Sequence, residues 1–472
     1  MFERISLKAA SERSWDVILA GSSFASMFFL RGLPRGLSVL ILEKGPLLTH
    51  AEQLAGARPR EHVPQENRAD RPKEWVIHTL FGGNSNCWWG QTPRLHPSDF
   101  RMRTLYGVGE DWPIDYEALE PFYLETERLM EIAGGGSEAI LPRSAPFPYP
   151  PHPPSRSDRA LQAARADWVP VPTARSNGGS RAPCCANGVC SRCPIDSKFT
   201  VLNGLEHFVR PEARLVLDAE VRAARLEGGR ATGVLVRGPK GEDEGEVEID
   251  GDLIGLGTNA IFNAAILLRS GVDSPVLGRH LHEQAPRSVH VDLPMRNFYG
   301  GSSITGHGYG LYDGPHRAER SGVLIENFNV PAELRPEKAR WTERLTLKLI
   351  AEDLPSPENR VVLEADEPRI IWTGWSDYAL KGLEASLDRL QEILPEPIEA
   401  ERRFPIKASA SHIQGTTRMG ADPAASVVDA DLRVHGTPNL LALGSGAFPT
   451  CSPANPTLTL SALSLRAARR LA

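Results

Sequence analysis

A histidine and an asparagine near the end of the sequence have the side chains that acid–base chemistry on a hydroxyl group requires. His412 begins the segment HIQGTTRMG, and Asn455 begins the segment NPTLT. A neutral imidazole accepts a proton near neutral pH. An asparagine amide donates a hydrogen bond to the same oxygen without competing for that proton. The pair indicates a catalytic site only if the rest of the chain builds a cofactor site beside it.

The first part of the chain has the pattern of a dinucleotide-binding strand–helix–strand unit. A buried strand, Trp15–Ala20, precedes the turn GSSFAS, which begins at Gly21, and a second strand ends at Glu43. A tight glycine turn lets the backbone approach a pyrophosphate at a helix N-terminus, and an acid about 20 residues on binds the ribose hydroxyls. Ser23 and Ser26 replace the second and third glycines of the usual fingerprint. Without Glu43, an ordinary buried crossover would fit the pattern equally well.

The composition excludes several classes of function. The chain has 472 residues, of which 41% are hydrophobic and 24% charged, and its formal net charge is −6. This length allows two or three domains, and no basic domain suited to nucleic acid stands out. No apolar run reaches membrane-spanning length, and the first residues lack a secretory signal pattern. We therefore expect a cytoplasmic protein, unless a partner subunit with an export signal carries it to the periplasm.

The remaining patterns predict a nucleotide-binding fold that is interrupted and later resumed. A buried strand at 252–257 leads into a helix at 260–270, as in a continuing α/β fold. Residues 286–400 contain the alternating strands typical of an antiparallel sheet. We predict an α/β class fold with a Rossmann-like domain over 1–285, a second α+β domain over 286–400, and a return to the first domain over 401–472.

Two loops contain residues that suit cofactors. The glycine-rich loop FGGNSNCWWG begins at Phe81 and fits either contact with a flat ligand or a packed turn with two core tryptophans.

Four of the six cysteines lie within the second loop, residues 183–195, at Cys184, Cys185, Cys190 and Cys193. Such crowding in a large chain favours a metal over disulfides. One short loop followed by proline is typical of iron–sulfur ligation, whereas zinc, a disulfide and free thiols are the alternatives.

With these pieces placed, the chain resembles the glucose–methanol–choline (GMC) flavoprotein oxidoreductases over nearly its whole length. The resemblance is carried by GSSFAS with Glu43, by FGGNSNCWWGQTPR and DWPIDYEALEPFY, by the cysteine loop, and by LGTNAIFNAAILLRSG. Its most specific part runs from HIQGTTRMG to NPTLT and is similar to pyranose oxidase and related sugar dehydrogenases. The resemblance implies an extended FAD, with its adenosine half on the N-terminal unit and its ring near the C-terminal segment.

The resemblance also implies roles for individual residues. His412 would accept the hydroxyl proton as hydride leaves the carbinol for flavin N5, and Asn455 would orient the alcohol. The positions that it assigns to FAD binding are Gly21, Ser22, Ser23, Glu43, Gly82, Gly83, Ser85, Cys87, Val221, Gly444, Ser445, Asn455, Pro456 and Thr457.

The cysteines raise two further hypotheses through the same resemblance. In several relatives, a histidine at the position of Cys87 is bonded to the flavin, so a cysteinyl–flavin bond is one interpretation and an inert buried thiol is the other. The loop 183–195 is similar to one in sugar dehydrogenases with an iron–sulfur cluster, which implies a 3Fe-4S or 4Fe-4S centre held by Cys184, Cys185, Cys190 and Cys193. The interval from Cys190 to Cys193 is one residue shorter than in those proteins.

The sequence therefore predicts FAD-dependent oxidation of an alcohol on a sugar, glycoside or polyol, with electrons relayed through the cluster to an external acceptor or partner subunit. An oxidase that reduces oxygen, with structural or zinc-binding cysteines, is the first alternative. A catalytically silent FAD-binding scaffold is the second, and the presence of both His412 and Asn455 argues against it.

Overall fold

The computed structural model describes residues 1–239, 245–297, 299–329 and 340–471. The strands, in chain order, are β1 (Glu3–Arg4), β2 (Trp15–Ala20), β3 (Val39–Leu42), β4 (Arg60–Glu61), β5 (Gln65–Asn67), β6 (Ile77–His78), β7 (Trp168–Pro170), β8 (Ala213–Val216), β9 (Glu220–Glu227), β10 (Arg230–Arg237), β11 (Glu246–Leu256), β12 (Ala285–Asp292), β13 (Ile304–Gly308), β14 (Val323–Phe328), β15 (Arg344–Ala351), β16 (Arg360–Glu364), β17 (Glu367–Trp372), β18 (Ala400–Ile406), β19 (Arg433–Val434) and β20 (Thr437–Ala442).

The α-helices are α1 (Leu7–Ser11), α2 (Phe24–Gly32), α3 (His50–Leu54), α4 (Met102–Tyr106), α5 (Tyr116–Leu129), α6 (Arg156–Ala164), α7 (Ala260–Arg269), α8 (Asp377–Asp388), α9 (Leu390–Ile393) and α10 (Thr457–Arg469). Among the described residues, none of these helices combines the length and the apolar character needed to span a bilayer.

The larger sheet has nine strands within the described part of the chain, and its centre is parallel. Its order is β1-β8-β3-β2-β11-β10-β9, and β20 pairs with β11 and carries β19. Strands β2, β3 and β8 run parallel to their neighbours, and β20 is parallel to β11 but antiparallel to β19. Strands β9 and β10 form an antiparallel extension of β11. Nearly every residue of β2 and all of β3 are buried, because helices and loops cover both faces of a parallel sheet.

Helix α2 joins β2 to β3 and packs against α10, the last helix of the chain. The two helices approach closely at Gly32, where an added Cβ would lie 2.6 Å from the Cβ of Ala468. Polar serines on α10 donate back to the helix carbonyls, so they add no unpaired group to this packing. The N-terminal and C-terminal parts of the chain are therefore held side by side, which brings the turn at Gly21 near the segment that begins at Asn455.

The second sheet is antiparallel, with the order β18-β12-β15-β14-β13-β7. On β15, Leu345, Leu347 and Leu349 alternate into a core that also contains Leu383 and Leu387 of α8. Strand alternation places the polar residues of β15 on the opposite face of the sheet. This mixed α/β fold with an antiparallel second sheet confirms the predicted fold class.

Two details differ from the sequence patterns. Leu383, Leu387, Leu390 and Leu394 have the spacing of one helical face, but the helix is interrupted at Arg389, and α9 is a separate short helix. The second sheet also includes Trp168–Pro170 and residues 401–406 of β18, which lie outside the predicted second domain. The domain boundaries at 285 and 400 stay a prediction.

Candidate active site

A cavity of about 880 Å³ lies where the carboxyl ends of the parallel strands face the antiparallel sheet. A ligand site at that edge is the general expectation for an open α/β sheet. The predicted site residues that line it are Ser23, Gly83, Ser85, Cys87, His412, Gly444, Ser445, Asn455, Pro456 and Thr457. Those outside its lining are Gly21, Ser22, Glu43, Gly82, Val221, Cys184, Cys185, Cys190 and Cys193.

The first turn requires glycine at Gly21. Its φ is +84°, and an added Cβ would lie 2.9 Å from the carbonyl oxygen of Gly257, in the strand end that follows β11. The turn delivers the chain into α2, whose N-cap residue Ser23 makes no side-chain capping hydrogen bond. The first N–H groups of α2 therefore face the cavity with no cap, as an anion site requires.

Glu43 is buried and holds this turn from behind. Its carboxylate accepts hydrogen bonds from Ser22 N at 3.1 Å, Ser22 Oγ at 2.5 Å and Gly45 N at 2.9 Å. Ser22 Oγ in turn accepts from Gly82 N at 2.8 Å, which ties the glycine-rich loop to the first turn. Burial raises the pKa of Glu43 to about 7. The carboxylate thus stabilises both loops, and it does not face the cavity.

Val221 is buried in β9 beside the end of β3. The nearby backbone N–H of Ala219 donates to the Glu43 carbonyl oxygen at 2.9 Å. The start of β9 is therefore next to the acidic residue, at the edge where the resemblance places the adenine.

The segments that contain His412 and Ser445 are hydrogen-bonded to each other. Ser445 Oγ donates to the Ile413 carbonyl at 2.7 Å, and Gly415 N donates to the Ser445 carbonyl at 3.1 Å. Gly444 has a φ of +90°, which turns the chain from β20 toward this contact. The candidate base and the end of the last parallel strand are thereby placed by one local structure.

The imidazole of His412 has a defined tautomer. Its Nδ1 lies 3.0 Å from Gln284 Oε1. The Gln284 amide is oriented by its Nε2, which donates to the carbonyls of Ser452 at 2.9 Å and Ala454 at 3.0 Å. Nδ1 of His412 must therefore carry the hydrogen, which leaves Nε2 as an acceptor. Nδ2 of Asn455 lies 3.5 Å from that Nε2.

Neither Gln284 nor Glu283 was singled out from the sequence. Glu283 is fully buried, pairs with the ammonium of Lys73, and accepts the backbone N–H of His412 at 2.7 Å. A buried acid paired with a lysine distant in sequence leaves no local pattern. The dipeptide Glu283-Gln284 directly before β12 was the only available signal, and it belongs to no known motif.

Burial lowers the pKa of His412 to about 3, and the ammonium groups of Lys348 and Lys73 add to this effect. The imidazole is therefore neutral, and so competent as a base, throughout the physiological range.

We expect the pH profile of kcat/KM to show no acid limb near 6.5, the ordinary pKa of histidine, because the limb of His412 is displaced to about 3. The neutral imidazole is the active form, so lowering its pKa extends activity toward acid pH. Rates with an uncharged alcohol, measured from roughly pH 4 to pH 8, test this. A limb near 6.5 would contradict the assignment of the lowered pKa to the base.

The structure does not bring the four loop cysteines together. Within the described ranges, no three His, Cys, Asp or Glu side chains are grouped as ligands of a metal ion. Three of the thiols are hydrogen-bonded to separate serines, namely Ser302 for Cys184 (3.6 Å), Ser303 for Cys190 (3.2 Å) and Ser197 for Cys193 (3.2 Å). Cys185 is exposed. The thiols as placed here do not fit the predicted iron–sulfur centre.

Cys87 lines the cavity, and its Sγ lies 3.5 Å from the carbonyl oxygen of Asn84. Burial raises the pKa of this thiol. The group is therefore protonated at neutral pH, whereas attack on a flavin requires the thiolate. This environment favours the inert thiol among the two interpretations of Cys87.

Comparison with known proteins agrees with this arrangement. The family model for GMC oxidoreductase matches residues 357–464, which include both His412 and Asn455. The chain is 26% identical to the fructose dehydrogenase large subunit of Gluconobacter japonicus, over 96% of this chain and 97% of that protein. Residues 357–464 therefore form a GMC oxidoreductase domain, and the protein is an enzyme that oxidises alcohols.

Two further similarities extend over the whole chain. It is 29% identical to 6'''-hydroxyparomomycin C oxidase of Streptomyces lividus, over 98% of this chain and 92% of that protein. The structure of pyridoxine 4-oxidase from Mesorbium loti superimposes with a TM-score of 0.67 at 19% identity, and covers 97% of this chain and 99% of that one. The superposition on pyridoxine 4-oxidase shows that the chain has the GMC fold.

GMC oxidoreductases bind FAD, and the described residues of this protein fit that cofactor. Two helices, α2 and α10, begin at the cavity with N-cap residues, Ser23 and Pro456, that make no side-chain capping hydrogen bond. Oδ1 of Asn455 is buried and accepts no hydrogen bond from the described part of the chain. Uncapped helix ends suit a pyrophosphate, and an orphaned buried acceptor indicates a missing donor.

Proposed function

We propose that this enzyme oxidises a carbinol of a sugar, glycoside or polyol to the carbonyl, with His412 as the base. The proposal rests on one observation: Nε2 of His412 is an unprotonated acceptor, 3.5 Å from the Nδ2 donor of Asn455, at the wall of the cavity. The names of the relatives, among them a fructose dehydrogenase, support a polyhydroxylated substrate.

The two side chains would act on the same oxygen of the substrate. A hydroxyl placed between them donates its hydrogen to Nε2 of His412 and accepts a hydrogen bond from Nδ2 of Asn455. As the proton moves to Nε2, the oxygen gains electron density, and the carbinol C–H bond becomes a better hydride donor. When bound, FAD supplies the hydride-accepting chemistry.

The residues around the pair would keep it in this geometry. Gln284 accepts from Nδ1 of His412 at 3.0 Å, and it also stabilises the positive charge that forms as the imidazole takes the proton. Glu283 holds the backbone N–H of His412 at 2.7 Å. FAD would be held by the first turn with Ser23, by Gly83 and Ser85, and by Gly444 and Ser445.

The test is a screen of sugars, glycosides and polyols with an artificial dye acceptor, in air and under anaerobic conditions. Dye reduction with a subset of these alcohols supports the proposal. Turnover of none of them, by a preparation with a full complement of FAD, would remove it.

The same screen identifies the electron acceptor. Turnover in air with hydrogen peroxide as product would indicate an oxidase, as in the alternative drawn from the sequence. Turnover with dye alone would indicate a dehydrogenase with a separate acceptor. The proposal includes no relay through the loop cysteines, because their sulfur atoms have separate partners, and analysis of iron and acid-labile sulfide checks this point.

We expect replacement of Gln284 by leucine to lower kcat/KM by roughly 10-fold to 100-fold, because Nδ1–H of His412 loses a buried acceptor. Gln284→Glu is expected to retain more activity and to move the acid limb to higher pH, since a carboxylate stabilises the imidazolium. A merely structural role for Gln284 would leave the pH profile unchanged in both variants.

Gln414→Leu is the matched control for Gln284→Leu. Nε2 of Gln414 lies 3.3 Å from Gln284 Oε1, and among the described contacts Gln414 makes no hydrogen bond to His412. This variant should change kcat/KM much less and leave the pH profile in place. An equal loss in the Gln414 and Gln284 variants would contradict a specific role for Gln284.

A further inference from the structure

Two lysines line the cavity on the side of the antiparallel sheet. Lys348 lies on β15, and Lys407 directly follows β18. Strand β12 runs between them: Ser288 is paired with Lys348, and Lys407 N donates to the carbonyl oxygen of Pro286 at 2.9 Å. Two strand spacings and a two-residue offset along β12 separate the two backbones by ~12 Å, so these long side chains can reach one ligand.

Lys348 is only partly neutralised by the protein. Its Nζ lies 3.8 Å from Oε2 of Glu326, the residue paired with it on β14. Glu326 is fully buried, and neither of its carboxylate oxygens accepts a hydrogen bond from the described residues. At 3.8 Å, the two groups are too far apart to share a hydrogen bond. The Lys348 ammonium can therefore still bind an anion at a shorter distance.

Lys407 has no hydrogen bond or ion pair to its ammonium group among the described residues, and its side chain is exposed at the cavity. The acidic residue of the cavity lining is Glu74, whose carboxylate lies 3.7 Å from the guanidinium of Arg60. The buried acid next to His412, Glu283, is paired with Lys73. The substrate side of the cavity therefore has a surplus of positive charge.

We propose that the substrate carries an anionic group, a carboxylate or a phosphate, which Lys407 and Lys348 bind while its hydroxyl lies at His412. This inference rests on the proposed function and names the substrate class within it. Uncharged polyols would lack this contact, and cationic amino sugars would be repelled by the same two ammonium groups.

The test compares the FAD-loaded enzyme on matched substrates in the dye assay: a neutral hexitol or hexose, the corresponding aldonate or uronate, a sugar phosphate, and an amino sugar. We expect kcat/KM for an anionic substrate to exceed that of its neutral counterpart by roughly 10-fold to 100-fold, the range for hydrogen bonds to charged groups. The amino sugar should have the lowest kcat/KM of the four substrates. The carboxylate and phosphate arms show which anion is preferred.

Two variants and one control refine this test. Lys407→Gln and Lys348→Gln should each reduce the ratio of anionic to neutral kcat/KM toward one, chiefly through KM. Added salt should lower kcat/KM for the anionic substrate more than for the neutral one. Lys381→Gln is the control, because Lys381 lies on α8 and lines a separate surface pocket, so the ratio should be unchanged.

The possible results distinguish a failure of the anionic-substrate inference from a failure of the proposed function. Oxidation of neutral polyols with no preference for their anionic counterparts overturns the inference and leaves the proposed function standing. A preference that survives in both lysine variants also overturns it. Oxidation of no alcohol overturns the proposed function and the inference together.

Discussion

Replacement of His412 by alanine is expected to lower kcat for alcohol oxidation about 1,000-fold, because the variant lacks the group that we propose as the base for the hydroxyl proton. Nε2 of His412 is the unprotonated nitrogen at the cavity wall, with Nδ1–H held by Gln284 at 3.0 Å. Alanine leaves the alcohol with only the Asn455 donor, so hydride transfer must begin from the neutral hydroxyl. The measurement is the rate at which the alcohol reduces the bound FAD in a single turnover under anaerobic conditions.

The FAD content of this variant must be measured alongside its rate, since His412 lines the same cavity as the residues assigned to FAD. A loss of rate with parental FAD content supports the role of base. His435→Ala is the control, because His435 lies outside the cavity lining and is hydrogen-bonded to Ser426 at 2.9 Å. Unchanged turnover in His412→Ala would remove the catalytic assignment.

Replacement of Gly21 by alanine is expected to reduce the affinity for FAD at least about 100-fold, which corresponds to about 2.7 kcal/mol. The φ of Gly21 is +84°, and the new Cβ would lie 2.9 Å from the Gly257 carbonyl oxygen. That oxygen belongs to the backbone, so relief of the contact must displace the turn or the strand end. The displaced turn would no longer present the N-terminus of α2 to the cavity.

Gly36 offers a matched comparison for this effect. Its φ is +88°, close to that of Gly21, but an added Cβ would meet nothing within 4 Å. Gly36→Ala should therefore lower the free energy of unfolding by only about 1 kcal/mol, from left-handed backbone strain, and the variant should retain FAD. Flavin absorbance per protein and the melting temperature measure both variants. Parental FAD content in Gly21→Ala would contradict the steric argument.

Local patterns were sufficient to predict much of the fold. The strand Trp15–Ala20 was predicted with the bounds that the structure shows, because a run of apolar residues before a glycine turn has few other solutions. Asp115 caps α5 by accepting from Ala118 N at 2.7 Å, and aspartate directly before a helix is a preferred N-cap residue. The helix at 260–270 ends one residue earlier than expected.

The candidate site was only partly accessible to such patterns. His412 and Asn455 were identified from their types and from the resemblance, and the structure brings both to one cavity. Gln284 was missed because its contact with His412 spans 128 residues. The hydrogen bonds of the Glu43 carboxylate to Ser22 and Gly45 were also not anticipated, and its binding of the ribose stays a prediction.

The sequence alone was enough to determine the class of fold, the two parts of the chain that build the site, and the residue types available for acid–base chemistry. Only the tertiary structure decided which nitrogen of His412 is free, since that depends on the orientation of the Gln284 amide. It also decided that Lys348 and Lys407 share the cavity with His412. The physical reason is that hydrogen-bond direction and net charge at a site depend on distances between segments remote in sequence, which no local spacing encodes.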